Sequence, residues 1–166
     1  MKNRDDALLR RILEYCIDTE DAVKLFGGED EFKINKIFRN ATCMPIMQIG
    51  ELCKLISKDM KESNSQIDWR GWCGVRDIMA HQYTNLDYKK TWIIIENDLP
   101  KLKEDISKII KSIDEESIKR ISKIIVENHL DNAKAEEVYH RIVDDSGVSI
   151  NVFSDANIVE FIKKMM

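Results

Sequence analysis

The sequence holds little that would interrupt a helix: six glycines and two prolines in 166 residues. That scarcity points to long, continuous helices. Its four cysteines, at positions 16, 43, 53 and 73, are never closer than ten residues. Neither a Cys-x-x-Cys redox pair nor a zinc knuckle can be drawn from such spacing, so they are expected to be reduced, small core residues. The three histidines, His81, His129 and His140, include no pair at ligand spacing on one helical face, and no structural metal or cofactor is expected. No apolar run approaches the roughly 18 residues that a membrane span needs. The opening residues, Met1 to Asp6, carry acids where a signal peptide would have its apolar stretch, so the expected location is cytoplasmic. Positive charge is not in excess either: 26 basic against 30 acidic residues give a net charge of −4, which disfavours a general DNA binder. Residues 1–112 carry 19 of each sign and residues 113–166 carry 7 basic and 11 acidic. Any polyanion site must therefore be local and lie in the first part.

What is present is apolar periodicity. Hydrophobic residues make up 43% and charged residues 34%, a balance that excludes a disordered chain, and the length suits one compact domain with a short appendage. Leu9, Ile12, Leu13, Cys16, Ile17, Val23 and Phe26 mark a first helix from about Asp6, stopped at Gly27 and Gly28. A second pattern runs from about Glu31 to Ser57 or Met60, with Pro45 expected to kink it. After a loop at Ser63–Gln66, a third helix is expected over Asp68–Tyr83, its two glycines, Gly71 and Gly74, serving close packing. A fourth follows from an Asn85 or Asp87 cap to Ile110, broken near Pro100. The expected fold is all-α, an antiparallel up-and-down helical bundle over 1–112. Residues 113–166 read as a small, mostly helical C-terminal extension: helices at Asp114–Asn128 and Ala133–Val143, one short strand around Val148–Phe153, and a last helix after Ser154 or Asp155.

One stretch concentrates chemistry: Arg76, Asp77, His81 and Tyr83, within Asp68-Trp-Arg-Gly-Trp-Cys-Gly-Val-Arg-Asp-Ile-Met-Ala-His-Gln-Tyr83. On a helix Asp77 and His81 are four apart and share a face, while Arg76 and Tyr83, seven apart, nearly superpose. An Arg with a His nearby is expected by chance and carries no weight. Requiring four intervening residues and then a Tyr two positions after the His lowers the chance expectation to roughly 0.003.

With that pattern the chain resembles the HEPN superfamily, and within it the HepT-like ribonuclease toxins, whose hallmark Arg-x4-His-x-Tyr is matched by Arg76, His81 and Tyr83. Ile49-Gly50-Glu51, Trp69, Gly74-Val75, Asp87, Trp92 and Asp98-Leu99-Pro100 agree with it. The resemblance covers about residues 5–111, and it departs at Asp77, where many relatives carry Asn. It implies a metal-independent endoribonuclease, the toxin of a toxin–antitoxin pair, that works as a homodimer with one motif from each subunit meeting in a cleft. RNA brings its own nucleophile, the 2′-hydroxyl. The protein must supply a base, an acid and a cation. His81 suits proton transfer because its ordinary pKa lies near neutrality, and Arg76 presents a permanently charged fork to phosphate oxygens. Asp77 is placed to orient His81 and favour its protonated form. For Tyr83 the resemblance implies AMP addition by a partner nucleotidyltransferase of the minimal type, the antitoxin.

Blander roles stand beside these. Arg76, Asp77 and His81 could also form a surface ion-pair network, and Tyr83 could be a rim tyrosine. Trp69 and Trp72, three apart, are expected in the core or a dimer interface rather than stacked on bases. Arg70 and Arg39 are tentative RNA contacts; His129 and His140 are expected on polar faces. A second class of function also fits: a non-catalytic docking subunit that binds a nucleotidyltransferase or nucleotide, favoured slightly by the neutral charge of residues 1–112.

Overall fold

The computed structural model of the chain describes residues 2–82 and 87–128, with positions 131, 134, 135, 137 and 138 beyond them. The described residues form an all-α helical bundle, as the periodicity implies. Helix α1 (Lys2–Phe26) buries Leu9, Ile12 and Cys16 completely. It stops at Gly27, whose φ of 113° lies in the left-handed region that L side chains avoid, while the Gly27 amide donates to the Val23 carbonyl at 2.9 Å.

The second helix expected from about Glu31 to Ser57 or Met60 is two helices up to Ser57, with a third beginning after it. α2 (Glu29–Ile34) ends at Asn35, whose side chain accepts from the amides of Ile37 and Phe38 and so starts α3 (Lys36–Leu55). Ser57 caps α4 (Lys58–Ser63) by accepting from the Met60 amide. Short polar side chains compete with the helix for backbone donors, and a cap is worth roughly 1 kcal/mol, enough to divide an apolar pattern that would otherwise run on. α3 remains α-helical through Pro45. The buried Asp5 holds the Ser57 corner from α1, accepting from the Ser57 amide at 2.9 Å and its hydroxyl at 2.6 Å.

α5 (Trp69–Gln82) and α6 (Tyr88–Ile93) follow, the latter capped by Asp87. The break expected near Pro100 is a π-helical turn, Ile94–Asp98, one turn earlier. Pro100 itself sits in the first turn of α7 (Leu99–Glu127), where its missing donor costs nothing. α7 passes residue 112 without interruption, so the helix expected at Asp114–Asn128 is its continuation. Ile109 and Ile110 belong to the main core, whereas the buried Ile121, Ile125 and Ala135 lie outside it. Positions 134, 135, 137 and 138 are helical; the strand expected at 148–153 and the last helix fall outside the described residues. Among the described residues no helix is long and apolar enough to cross a membrane.

α1 packs between α3 and α7, and α3 also carries α5 on its other side. At the end where α2 and α6 meet α3, Phe38 is wholly buried among Phe26, Phe32 and Trp92, with ring centroids 5.3–6.2 Å apart. Cys16, Cys43 and Cys53 are buried and free, and burial pushes their thiols up to about 12, about 11 and about 12. At neutral pH they are protonated and inert, small core residues as expected.

Phe38→Ala should lower the unfolding free energy by about 3–5 kcal/mol in a urea titration. Ile37→Ala, at a neighbouring side chain 69% exposed, should stay within about 0.5 kcal/mol of the wild type.

Candidate active site

The site begins with the way α5 is set against α3. Asp68 accepts from the Gly71 amide at 2.8 Å and caps the start of α5, and the Trp69 indole donates to the Asn64 carbonyl at 3.0 Å. Trp69 and Trp72 are each only 7% exposed and belong to the main core, one of the two roles expected for them. The glycines of α5 do not serve helix packing, contrary to the expectation from sequence. A Cβ on Gly71 would overlap the capping Asp68 carboxylate, and one on Gly74 would meet nothing within 4 Å. The glycine that permits close packing is Gly50 of α3: a Cβ there would overlap that of Arg76 and lie 2.7 Å from the Trp72 carbonyl oxygen.

That contact fixes the backbone at Arg76 directly against α3 and brings four charges together. Glu51 lies in ion-pair contact with the Arg76 Nε, without an aligned hydrogen bond. An Arg76 terminal nitrogen donates to Asp77 Oδ1 at 3.0 Å. Lys54 Nζ donates to the same oxygen at 2.8 Å and stands 3.5 Å from Glu51. Arg76, Asp77, Lys54 and Glu51 thus close a ring of alternating sign, two residues from each helix. The Lys54 hydrogen bond, then that of Arg76, holds the Asp77 carboxyl below the usual carboxylate range, and Asp77 in turn raises the Lys54 ammonium. Both shifts favour the charged forms of Asp77 and Lys54.

His81 falls four residues beyond Asp77 within α5, so their backbone positions share a face. Its side chain, and Tyr83 altogether, lie outside the described residues. Arg70 is exposed in the first turn of α5 and makes no ion pair among the described residues. Arg39 is committed to the fold: it donates to the carbonyls of Phe32 and Lys33 at 3.0 and 2.8 Å, closing the end of α2, and its guanidinium lies 4.7 Å from the Tyr88 ring centroid. Among the described residues, no three His, Cys, Asp or Glu side chains form a group able to hold a metal ion. Sequence reasoning noted Gly50 and Glu51 only as agreeing with the family resemblance, without a role for either, and did not note Lys54, whose spacing three residues from Glu51 is too common to single out.

Gly50→Ala should cost about 1–3 kcal/mol in chemical denaturation, because it drives a methyl against α5 backbone. Gly74→Ala, on an open face, should be neutral or stabilising by up to about 1 kcal/mol; equal costs at the two positions would refute the close approach at Gly50.

The family described as "Ribonuclease HepT-like" matches residues 12–109, a span that includes the whole charge ring and the motif. A Methanocaldococcus jannaschii protein named as a candidate RNase is 37% identical over 115 residues, covering 69% of this chain and 94% of its own. Another from the same organism, named likewise, is 35% identical over 69% of this chain and 99% of its own. A Thermococcus cleftensis protein named "Probable ribonuclease HepT" is 30% identical over 59% of this chain and 94% of its own. No solved structure matches the chain. With more than half of its length matched by the family and relatives covered almost end to end, the chain belongs to the HepT-like ribonuclease family.

Proposed function

We propose that this chain is the toxin of a toxin–antitoxin pair and an endoribonuclease that cleaves RNA without a metal ion. The observation that carries the reading is the half-buried Arg76, fixed on α5 by the Gly50 contact, with His81 later on the same helix, in a chain of a ribonuclease family. In the proposed reaction the RNA 2′-oxygen attacks the adjacent phosphorus. The 2′-proton passes to a neutral imidazole, the bond to the 5′-oxygen breaks, and a protonated imidazole returns a proton to that oxygen, leaving a 2′,3′-cyclic phosphate and a 5′-hydroxyl. Arg76 binds the equatorial oxygens as their charge grows.

His81 is five positions after Arg76, about 140° around the helix and about 7.5 Å along it. One copy therefore offers its guanidinium and imidazole on adjoining stripes. A homodimer with α5 near its two-fold axis would supply the second imidazole that acid and base roles require. Tyr83 is seven positions past Arg76 in the sequence. AMP added there by a minimal nucleotidyltransferase would bring a phosphodiester close to the cation that substrate needs, and inhibition follows from charge and bulk together.

Purified wild type should cut single-stranded RNA in the presence of a chelator and leave cyclic-phosphate ends, with Arg76→Ala and His81→Ala each slower by about 10²-fold or more. Undiminished cleavage by His81→Ala, or loss of cleavage on chelation, would defeat the reading. Coexpression with a minimal nucleotidyltransferase should add AMP to a peptide containing Tyr83 in intact-mass and peptide spectra, and Tyr83→Phe should abolish the adduct; an adduct that persists in that variant would place the modification elsewhere. The alternative, a docking subunit without activity, draws on the balanced charge of residues 1–112, and the cleavage assay separates the two.

A further inference from the structure

We propose that Lys54 is a positioning residue for the phosphate grip of Arg76: it shares the two carboxylates that flank Arg76, Asp77 through a common oxygen, so that the terminal edge of the guanidinium stays open to phosphate. The inference rests on the reading of Arg76 as the cation that takes substrate phosphate.

The argument is one of charge and donor count. Arg76 and Lys54 contribute two positive charges, Glu51 and Asp77 two negative, and the ring is neutral. Its side chains are between 31% and 54% exposed, open enough for a phosphodiester to reach. Without Lys54 the same place carries a net negative charge, against which a phosphodiester must be brought. Geometry adds to this. Arg76 has five donors; its Nε faces Glu51 and one terminal nitrogen reaches Asp77 Oδ1, which Lys54 also holds from the α3 side. Released from Lys54, the Asp77 carboxylate is free to take the terminal edge of the guanidinium in a paired, two-bond arrangement, the geometry a phosphate would use. Lys54 thus acts through Asp77, and removing the Asp77 charge should remove the need for it.

The test is binding, not turnover. Affinity of the full-length protein for a fluorescent 2′-O-methyl oligoribonucleotide, which has no nucleophilic hydroxyl, is measured by anisotropy at low and moderate salt. Lys54→Met should weaken binding roughly fivefold at low salt. The double variant Lys54→Met/Asp77→Asn should recover to within about twofold of wild type. Lys58→Met, at an exposed α4 lysine paired with Glu62, serves as the control for a general loss of positive charge and should bind as wild type does. Thermal unfolding of each variant checks that the fold is kept, and Lys54→Gln takes the place of Lys54→Met if the latter unfolds. Three results would overturn the proposal: no oligonucleotide binding by wild type, wild-type affinity in the Lys54 variants, or a loss that Asp77→Asn does not restore, which would make Lys54 a direct phosphate ligand. Absence of RNA cleavage with this binding pattern intact would instead count against the ribonuclease reading alone.

Discussion

The contact between α3 and α5 at Gly50 is the constraint from which the site follows. Interhelical distance is set by the side chains at the crossing, and here one helix offers no side chain where the other presents the Arg76 Cβ and the Trp72 carbonyl. Two helices held that close bring Glu51 and Lys54 within reach of Arg76 and Asp77. A larger residue at position 50 would separate the charges as well as the backbones, so the packing defect and the electrostatic defect share one cause.

The rest of the bundle serves to hold that pair of helices. α1 lies along α3 on the far side and is itself backed by α7, and the Asp5–Ser57 bonds tie the end of α3 to the start of α1. At the α2 end, the aromatic cluster around Phe38 and the guanidinium of Arg39 pin α2 and α6 to α3. One terminal nitrogen of Arg39 donates to the two carbonyls at the end of α2, groups that a helix end leaves without intrahelical partners.

Neutrality at the site is a physical condition as well as a number. A lone arginine would attract any anion; one flanked by two carboxylates and a lysine yields only to a ligand that offers better geometry than the carboxylates it displaces. On the proposed reading of Arg76, that would reconcile a family of ribonucleases with a domain whose positive and negative charges balance. Selectivity here would come from position more than from field strength.

Much of the fold was legible in the sequence, because helical periodicity and helix stops are local. Leu9, Ile12 and Cys16 announce their buried face by spacing, and Gly27 its turn. The Arg76–His81–Tyr83 pattern is likewise a matter of spacing, and it led to the family. Local competition was harder to read: the Asn35 cap divided one expected helix into two, and the Ser57 cap ended it at the earlier of its two expected limits and started another, since a side-chain oxygen two or three residues from a backbone amide outbid the pattern. What the sequence alone did not contain is the company each charge keeps. Helical spacing sets Asp77 toward His81, yet its described partners are Arg76 beside it and Lys54, 23 residues earlier. Pairings across helices depend on crossing distance and rotation, which only the packed structure decides, and here they turned on the one residue at position 50 that has no side chain.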